Sequence, residues 1–143
     1  MTRVMATGVF DILHPGHLHY LKESKKLGDE LLVVIARDST AHRNGKTPIF
    51  NENIRLQMVS ELRVVDRAIL GHEGDIMQTV RDNRPDIITL GHDQRFDAGK
   101  LEQKCREIGV PAKVVRISAL SNAEYSSSTE VKNKLHEYIE GTI

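Results

Sequence analysis

Five short apolar runs constrain this chain more than any other feature: RVMAT at 3–7, LLVVIA at 31–36, RAIL at 67–70, IITL at 87–90 and KVVRI at 113–117. Each is rich in β-branched or aliphatic residues and bounded by charge, Gly or Pro, which is how a short buried strand reads. Between them lie stretches with helical spacing at 16–27 (Leu18, Leu21, Leu27), 52–62 (Ile54, Met58, Leu62), 74–83, 97–108 and 128–140. Continuously apolar strands separated by helical crossovers predict an all-parallel, five-stranded sheet with helices on both faces, an α/β doubly wound fold. A length of 143 residues suits one domain over 1–143, large enough to bury roughly two-thirds of its unfolded surface.

Composition narrows the partners. Lys and Arg number 20 and so do Asp and Glu, with no long run of like charge, so nucleic acid is not favoured. The start, MTRVMATG, lacks a signal-peptide pattern, and no apolar stretch approaches membrane-spanning length. A soluble, cytoplasmic protein with no membrane partner is expected. The single cysteine, Cys105, has no second thiol for a disulfide or a shared metal. It lies on one helical face with Leu101 and Ile108, which predicts a buried packing role.

Two stretches read as irregular, 37–51 (RDSTAHRNGKTPIFN) and 118–128 (SALSNAEYSSS). In a doubly wound sheet, ligands bind beyond the carboxyl ends of the strands, and the segments after the first, second and fourth strands leave from that edge. The first of them is GVFDILHPGH at 8–17. Gly8 permits a close turn, Asp11 can bond local backbone, and Pro15 and Gly16 lead into a helix whose free N–H groups and dipole favour an anion, phosphate above all. His14 and His17 then reach one anion together, as neutral or charged donors. Two competing readings are ordinary capping and a zinc site with His19; no thiolate supports the zinc, and His19 should point away.

The stretch ATGVFDILHPGHLHYLKESKKLGDELLVVIARD resembles the cytidylyltransferase-like nucleotidyltransferases, whose hallmark is His-x-Gly-His after the first strand of a Rossmann-like sheet. Within them, GVFDILHPGH is similar to the glycerol-3-phosphate cytidylyltransferases and the archaeal FAD synthases. RDST, ENIRLQMVSEL, VDRAILG and PDIITLGHDQRFD look most like the archaeal FAD synthase group. That group joins AMP from ATP to FMN and releases pyrophosphate.

The resemblance implies His14, His17 and Lys46 as the catalytic set, with Lys46 a phosphate-binding lysine on the loop after the second strand. It places Thr7, Gly8, Val9, Phe10, Gly16, Gly91, Asp93, Ser127 and Thr129, together with the two histidines, around the nucleotide. Asp11, Asp38, Arg55 and Tyr125 are expected at the acceptor. Magnesium or a similar divalent metal would be held mainly by substrate phosphates, with no protein ligand set. A homodimer is expected by analogy. The cytidylyltransferases carry Arg-Thr-Glu-Gly-Ile-Ser-Thr where this chain has Asn122, Ala123 and Glu124 leading to Ser127, Ser128 and Thr129. Loss of that arginine argues against the main alternative, glycerol-3-phosphate cytidylyltransferase. A non-catalytic nucleotide-binding module is the third reading. An isoalloxazine acceptor needs a flat apolar wall, for which Phe50, Phe96 and Tyr125 are candidates.

Overall fold

The computed structural model describes residues 1–120 and 125–142. Its strands are β1 (Arg3–Gly8), β2 (Glu30–Ile35), β3 (Arg67–Leu70), β4 (Ile87–Leu90) and β5 (Lys113–Arg116). All four pairings are parallel and the order is β3-β2-β1-β4-β5. The chain first winds outward from β1 to β3 and then crosses back to β4, so the direction of winding reverses between β1 and β4. This is the doubly wound, Rossmann-like arrangement, with its ligand crevice at that reversal.

Alternation along the strands supplies two cores. Val4 and Ala6 of β1 join Leu31, Val33 and Ile35 of β2 on one face, under Leu21 and Val59. Met5, Leu32, Val34, Ile88 and Leu90 form the other with Val80, Leu101 and Cys105. Cys105 is fully buried there, as its place on the helical face predicts. The first core is covered by α1 (Pro15–Lys25) and α3 (Glu52–Ser60), the second by α4 (Ile76–Asn83) and α5 (Ala98–Glu107). Among the described residues there are two further helices, α2 (Asp38–Arg43) and α6 (Ser128–Glu137), the latter continuing into a turn at Tyr138–Thr142 that Gly141 interrupts at φ 136°.

Two features depart from expectation. The stretch 37–51 contains α2, which buries only Ala41 and so shows no apolar stripe, though Asp38 at its start and His42 and Arg43 at its end suit the helix dipole. Helix α3 faces the sheet with Arg55 and Val59, whereas Ile54 and Met58, expected inside, are exposed. The partners of Arg55, described below, account for that rotation.

Candidate active site

The crevice lies where β1 and β4 deliver their carboxyl ends. It is a cleft of about 370 Å³, within the usual size range for small-molecule sites. Four segments line it: Thr7 to Tyr20 from the end of β1 into α1, Lys46 to Pro48 from the loop after α2, Gly91 to Gln94 after β4, and Ser126 to Lys132 entering α6. The first turns of α1 and α6 both open on it. No acidic residue in the first turn of α1 offsets the positive end of its dipole, although Pro15 has no N–H and those of Gly16, His17 and Leu18 are all bonded to His14.

His14 is the N-cap of α1, extended at φ −144° and ψ 170°, and its Nδ1 accepts from the Gly16 N–H at 3.1 Å. His17, three residues on, returns the bond: its Nδ1 accepts from the His14 N–H at 3.3 Å. A capping box is thereby built from two imidazoles instead of a hydroxyl and a carboxylate. Because each Nδ1 accepts, each neutral ring carries its proton on Nε2. The rings stack with centroids 3.7 Å apart. Burial, and then the neighbouring His14, push the His17 pKa down to about 4; burial also lowers that of His14. Both rings are therefore neutral N–H donors at pH 7 in the free protein, which narrows the expectation of neutral or charged donors. His19 turns away to the Ser118 carbonyl at 3.1 Å, as expected.

Small residues make room for this arrangement. A Cβ on Gly16 would come within 2.1 Å of the Ser126 carbonyl oxygen, so a side chain there would push the start of α6 off the cleft. Ser127 caps α6 by accepting from the Glu130 N–H, and Ser128 Oγ lies 3.4 Å from His14 Nε2. On Gly8 a Cβ would meet the Phe10 ring at 2.8 Å. Phe10, at φ 53°, folds that ring inward against His17 and Tyr20.

Asp11 bonds backbone as expected, but at long range: its carboxylate accepts from the Ile49 and Phe50 N–H groups at 2.7 and 2.9 Å. It tethers the loop that carries Lys46, which lines the cleft. Arg55 and Asp38 do not line it. Arg55 is wholly buried and donates to the carbonyls of Phe50 (3.0 Å), Val9 (2.8 Å) and Ala36 (2.8 Å) and to Asp38 Oδ1 (2.7 Å). The bond from Arg55 lowers the Asp38 pKa. Both lie outside the cleft's lining, and the guanidinium is occupied in tying the ends of β1 and β2 to the Lys46 loop.

Tyr125, at φ 58°, also stays outside the lining. Phe50 and Phe96 are exposed and outside it too, so the apolar wall expected from these three is not built, and Phe10 is the phenylalanine that lines the cleft. The lining includes the expected Thr7, Gly8, Val9, Phe10, Asp11, His14, Gly16, His17, Lys46, Gly91, Asp93, Ser127 and Thr129. It adds Tyr20, Gln94 and Lys132, which sequence reasoning missed. Lys132 follows Ser128 by four residues on α6, and that spacing was its available signal. Asn122, Ala123 and Glu124, where the arginine motif departs, lie outside the described residues.

Loop 91–96 is held by Arg116 at the end of β5, whose guanidinium donates to the carbonyls of Gly91, Gln94 and Phe96. Beneath it, the buried Tyr20 hydroxyl accepts from the Thr7 N–H at 3.1 Å and donates to the Thr89 carbonyl at 2.7 Å. Burial raises the Tyr20 pKa to about 12, so the hydroxyl remains protonated and serves both bonds.

A switch-point crevice with two helix amino termini, paired imidazole N–H donors and two lysines is suited to the phosphates of a nucleotide undergoing transfer, the class of nucleotidyltransferases. Residues 5–134 match the cytidylyltransferase-like family, and the chain belongs to that family. The FAD synthase of Thermoplasma volcanium is 64% identical over 139 residues, covering 97% of each chain. The FAD synthase of Thermoplasma acidophilum is 63% identical with the same coverage. A crystal structure of the lipopolysaccharide core biosynthesis protein from Thermoplasma volcanium superposes at a TM-score of 0.81 with 70% identity, covering 82% of this chain and 97% of that one.

Proposed function

We propose that the chain is an FMN adenylyltransferase: a phosphate oxygen of FMN attacks the α-phosphorus of ATP in line, a new P–O–P bond forms, the bond to the β-phosphate oxygen breaks, and FAD and pyrophosphate leave. The observation that carries this reading is near-full-length identity of 63 and 64% to two FAD synthases, in a chain whose cleft holds the paired histidines. No protein nucleophile is needed, since a phosphomonoester with a second pKa near 6 is mostly dianionic at pH 7. Catalysis then rests on positioning and on charge stabilisation.

The Nε2–H groups of His14 and His17 donate to oxygens of the transferring phosphate, at the positive end of the α1 dipole. Lys46, carried by the loop that Asp11 tethers, supplies a point charge to the departing phosphates, and Lys132 adds a second from α6. Neutral imidazoles suit this role because they donate without first losing a proton, and nearby negative charge raises their pKa as the triphosphate binds. A divalent metal, magnesium in this reading, would arrive with the triphosphate and neutralise its oxygens. The described residues hold no cluster of three or more His, Cys, Asp or Glu side chains placed for a metal ion. A homodimer and a cytoplasmic setting belong to the same reading, and sedimentation of the purified chain tests the first.

The test mixes purified protein and Mg²⁺ with FMN or glycerol 3-phosphate, each with ATP or CTP, and follows products by chromatography alongside pyrophosphate. FAD from FMN and ATP alone is expected. CDP-glycerol would overturn the assignment in favour of the cytidylyltransferase reading, and bound triphosphate with no product in any mixture would favour the non-catalytic module.

A further inference from the structure

The ladder between β1 and β4 pairs Val4 with Ile87, Met5 with Ile88 and Ala6 with Thr89, and ends there. Alternation in a parallel ladder makes the next rung a bond from the Gly91 N–H to the Thr7 carbonyl. That bond is not made. The Gln94 side-chain amide fills its place: Oε1 accepts from the Gly91 N–H at 2.7 Å, and Nε2 donates to the Thr7 carbonyl at 3.0 Å. One rung below, the Tyr20 hydroxyl already joins the Thr7 N–H to the Thr89 carbonyl. On both flanks the ladders continue to the ligand edge, from the Ala36 N–H to the Gly8 carbonyl at 2.9 Å and from the Ile117 N–H to the Leu90 carbonyl at 2.8 Å. At this edge, among the described residues, only the seam that faces the cleft has a side chain interposed.

We propose that Gln94 is a positioning residue for the nucleotide: its amide replaces a backbone rung and holds β1 and β4 apart at the width that a nucleoside triphosphate needs to enter. The inference rests on the adenylyltransferase reading of the same cleft. A primary amide suits the place, since the gap offers one N–H donor and one carbonyl acceptor and the amide satisfies both without charge. Arg116 fixes the backbone from which the amide projects, through the Gln94 and Gly91 carbonyls. Gln94 touches no group expected to meet the acceptor, so its effect should fall on the nucleotide.

Two variants test this. Gln94→Ala removes the spacer and leaves the Gly91 N–H free to close on the Thr7 carbonyl. Gln94→Glu keeps an acceptor for Gly91 but sets a carboxylate oxygen against the Thr7 carbonyl. ATP binding in Mg²⁺ is measured by calorimetry, with KM for ATP and for FMN and the melting temperature alongside. ATP affinity and KM for ATP should weaken about tenfold in both variants, the equivalent of one lost neutral bond, while KM for FMN stays near wild type and, in Gln94→Ala, where the backbone rung can close, so does the melting temperature. Unchanged ATP affinity, or equal weakening toward ATP and FMN with a fall in melting temperature, would overturn the proposal. Calorimetry needs no turnover. A wild-type protein that binds ATP yet makes no FAD would therefore sink the FMN reading alone, whereas one that fails to bind ATP would sink both.

Discussion

The two seams of β1 differ in what they do. Toward β2 the strand is paired at six positions, from Arg3 opposite Glu30 to Gly8 opposite Ile35, and the ladder runs on to Ala36. Toward β4 it is paired at three, and its last rungs pass through Tyr20 and Gln94. The closed seam is built almost wholly from aliphatic side chains and serves the core. The open seam carries hydroxyls, an amide and two histidines at its mouth and opens on the cleft. The crevice arises where the winding reverses between β1 and β4, and there side chains take the place of backbone at the last rungs.

The comparison can be broken by showing that residues at the open seam do no chemistry, and the largest effect expected is there. His17→Ala should reduce kcat by roughly 10²- to 10³-fold, as loss of one oxyanion donor does, with folding retained by circular dichroism. Near-normal turnover would sink the role of the imidazole pair. Lys46→Ala should cost about ten- to a hundredfold in kcat/KM for ATP, the scale of a lost charge-assisted bond, and steady-state kinetics at fixed FMN will measure it.

Stability separates the seams more finely. Tyr20→Phe leaves the Thr7 N–H and the Thr89 carbonyl without their hydroxyl partner inside the protein, a cost of about 1–3 kcal/mol by urea denaturation, with ATP binding weakened as well. Ile35→Val, in the closed seam, should cost only about 0.5–1.5 kcal/mol and leave FAD formation at wild-type rate. If the two variants damaged activity alike, the seams would not be functionally distinct.

The smallest effect is on pH dependence. His17 titrates at about 4 when folded, from an ordinary value of 6.5. Between those values the unfolded chain binds the extra proton, so stability rises with pH. The contribution is complete above about 6.5 and is lost as pH falls toward 4. Denaturant midpoints measured from pH 7 to pH 4 should therefore fall less steeply in His17→Gln than in wild type.

Much of this was legible in the sequence because hydrophobic patterning and backbone chemistry act locally. The strands RAIL and IITL fall where expected because their apolar runs stop at charge or glycine, and the start of α1 is marked by Pro15 and Gly16. Helix α2 was missed because it buries one residue and has no period to detect. Helix α3 was turned the wrong way because burial of an arginine depends on carbonyls at Val9, Ala36 and Phe50, which no pattern within the helix reveals. The same reason hid the long-range bonds of Asp11 and the bridge made by Gln94. Sequence displayed which residue types stand at the ligand edge, while their partners depended on loops brought together only by the fold.

The most direct test of the account is a crystal structure of the protein with a non-hydrolysable ATP analogue and Mg²⁺. The account predicts an α-phosphate within hydrogen-bond distance of Nε2 of both His14 and His17, with the nucleotide seated between the ends of β1 and β4. A nucleotide bound elsewhere, or one whose phosphates leave both imidazoles untouched, would contradict it.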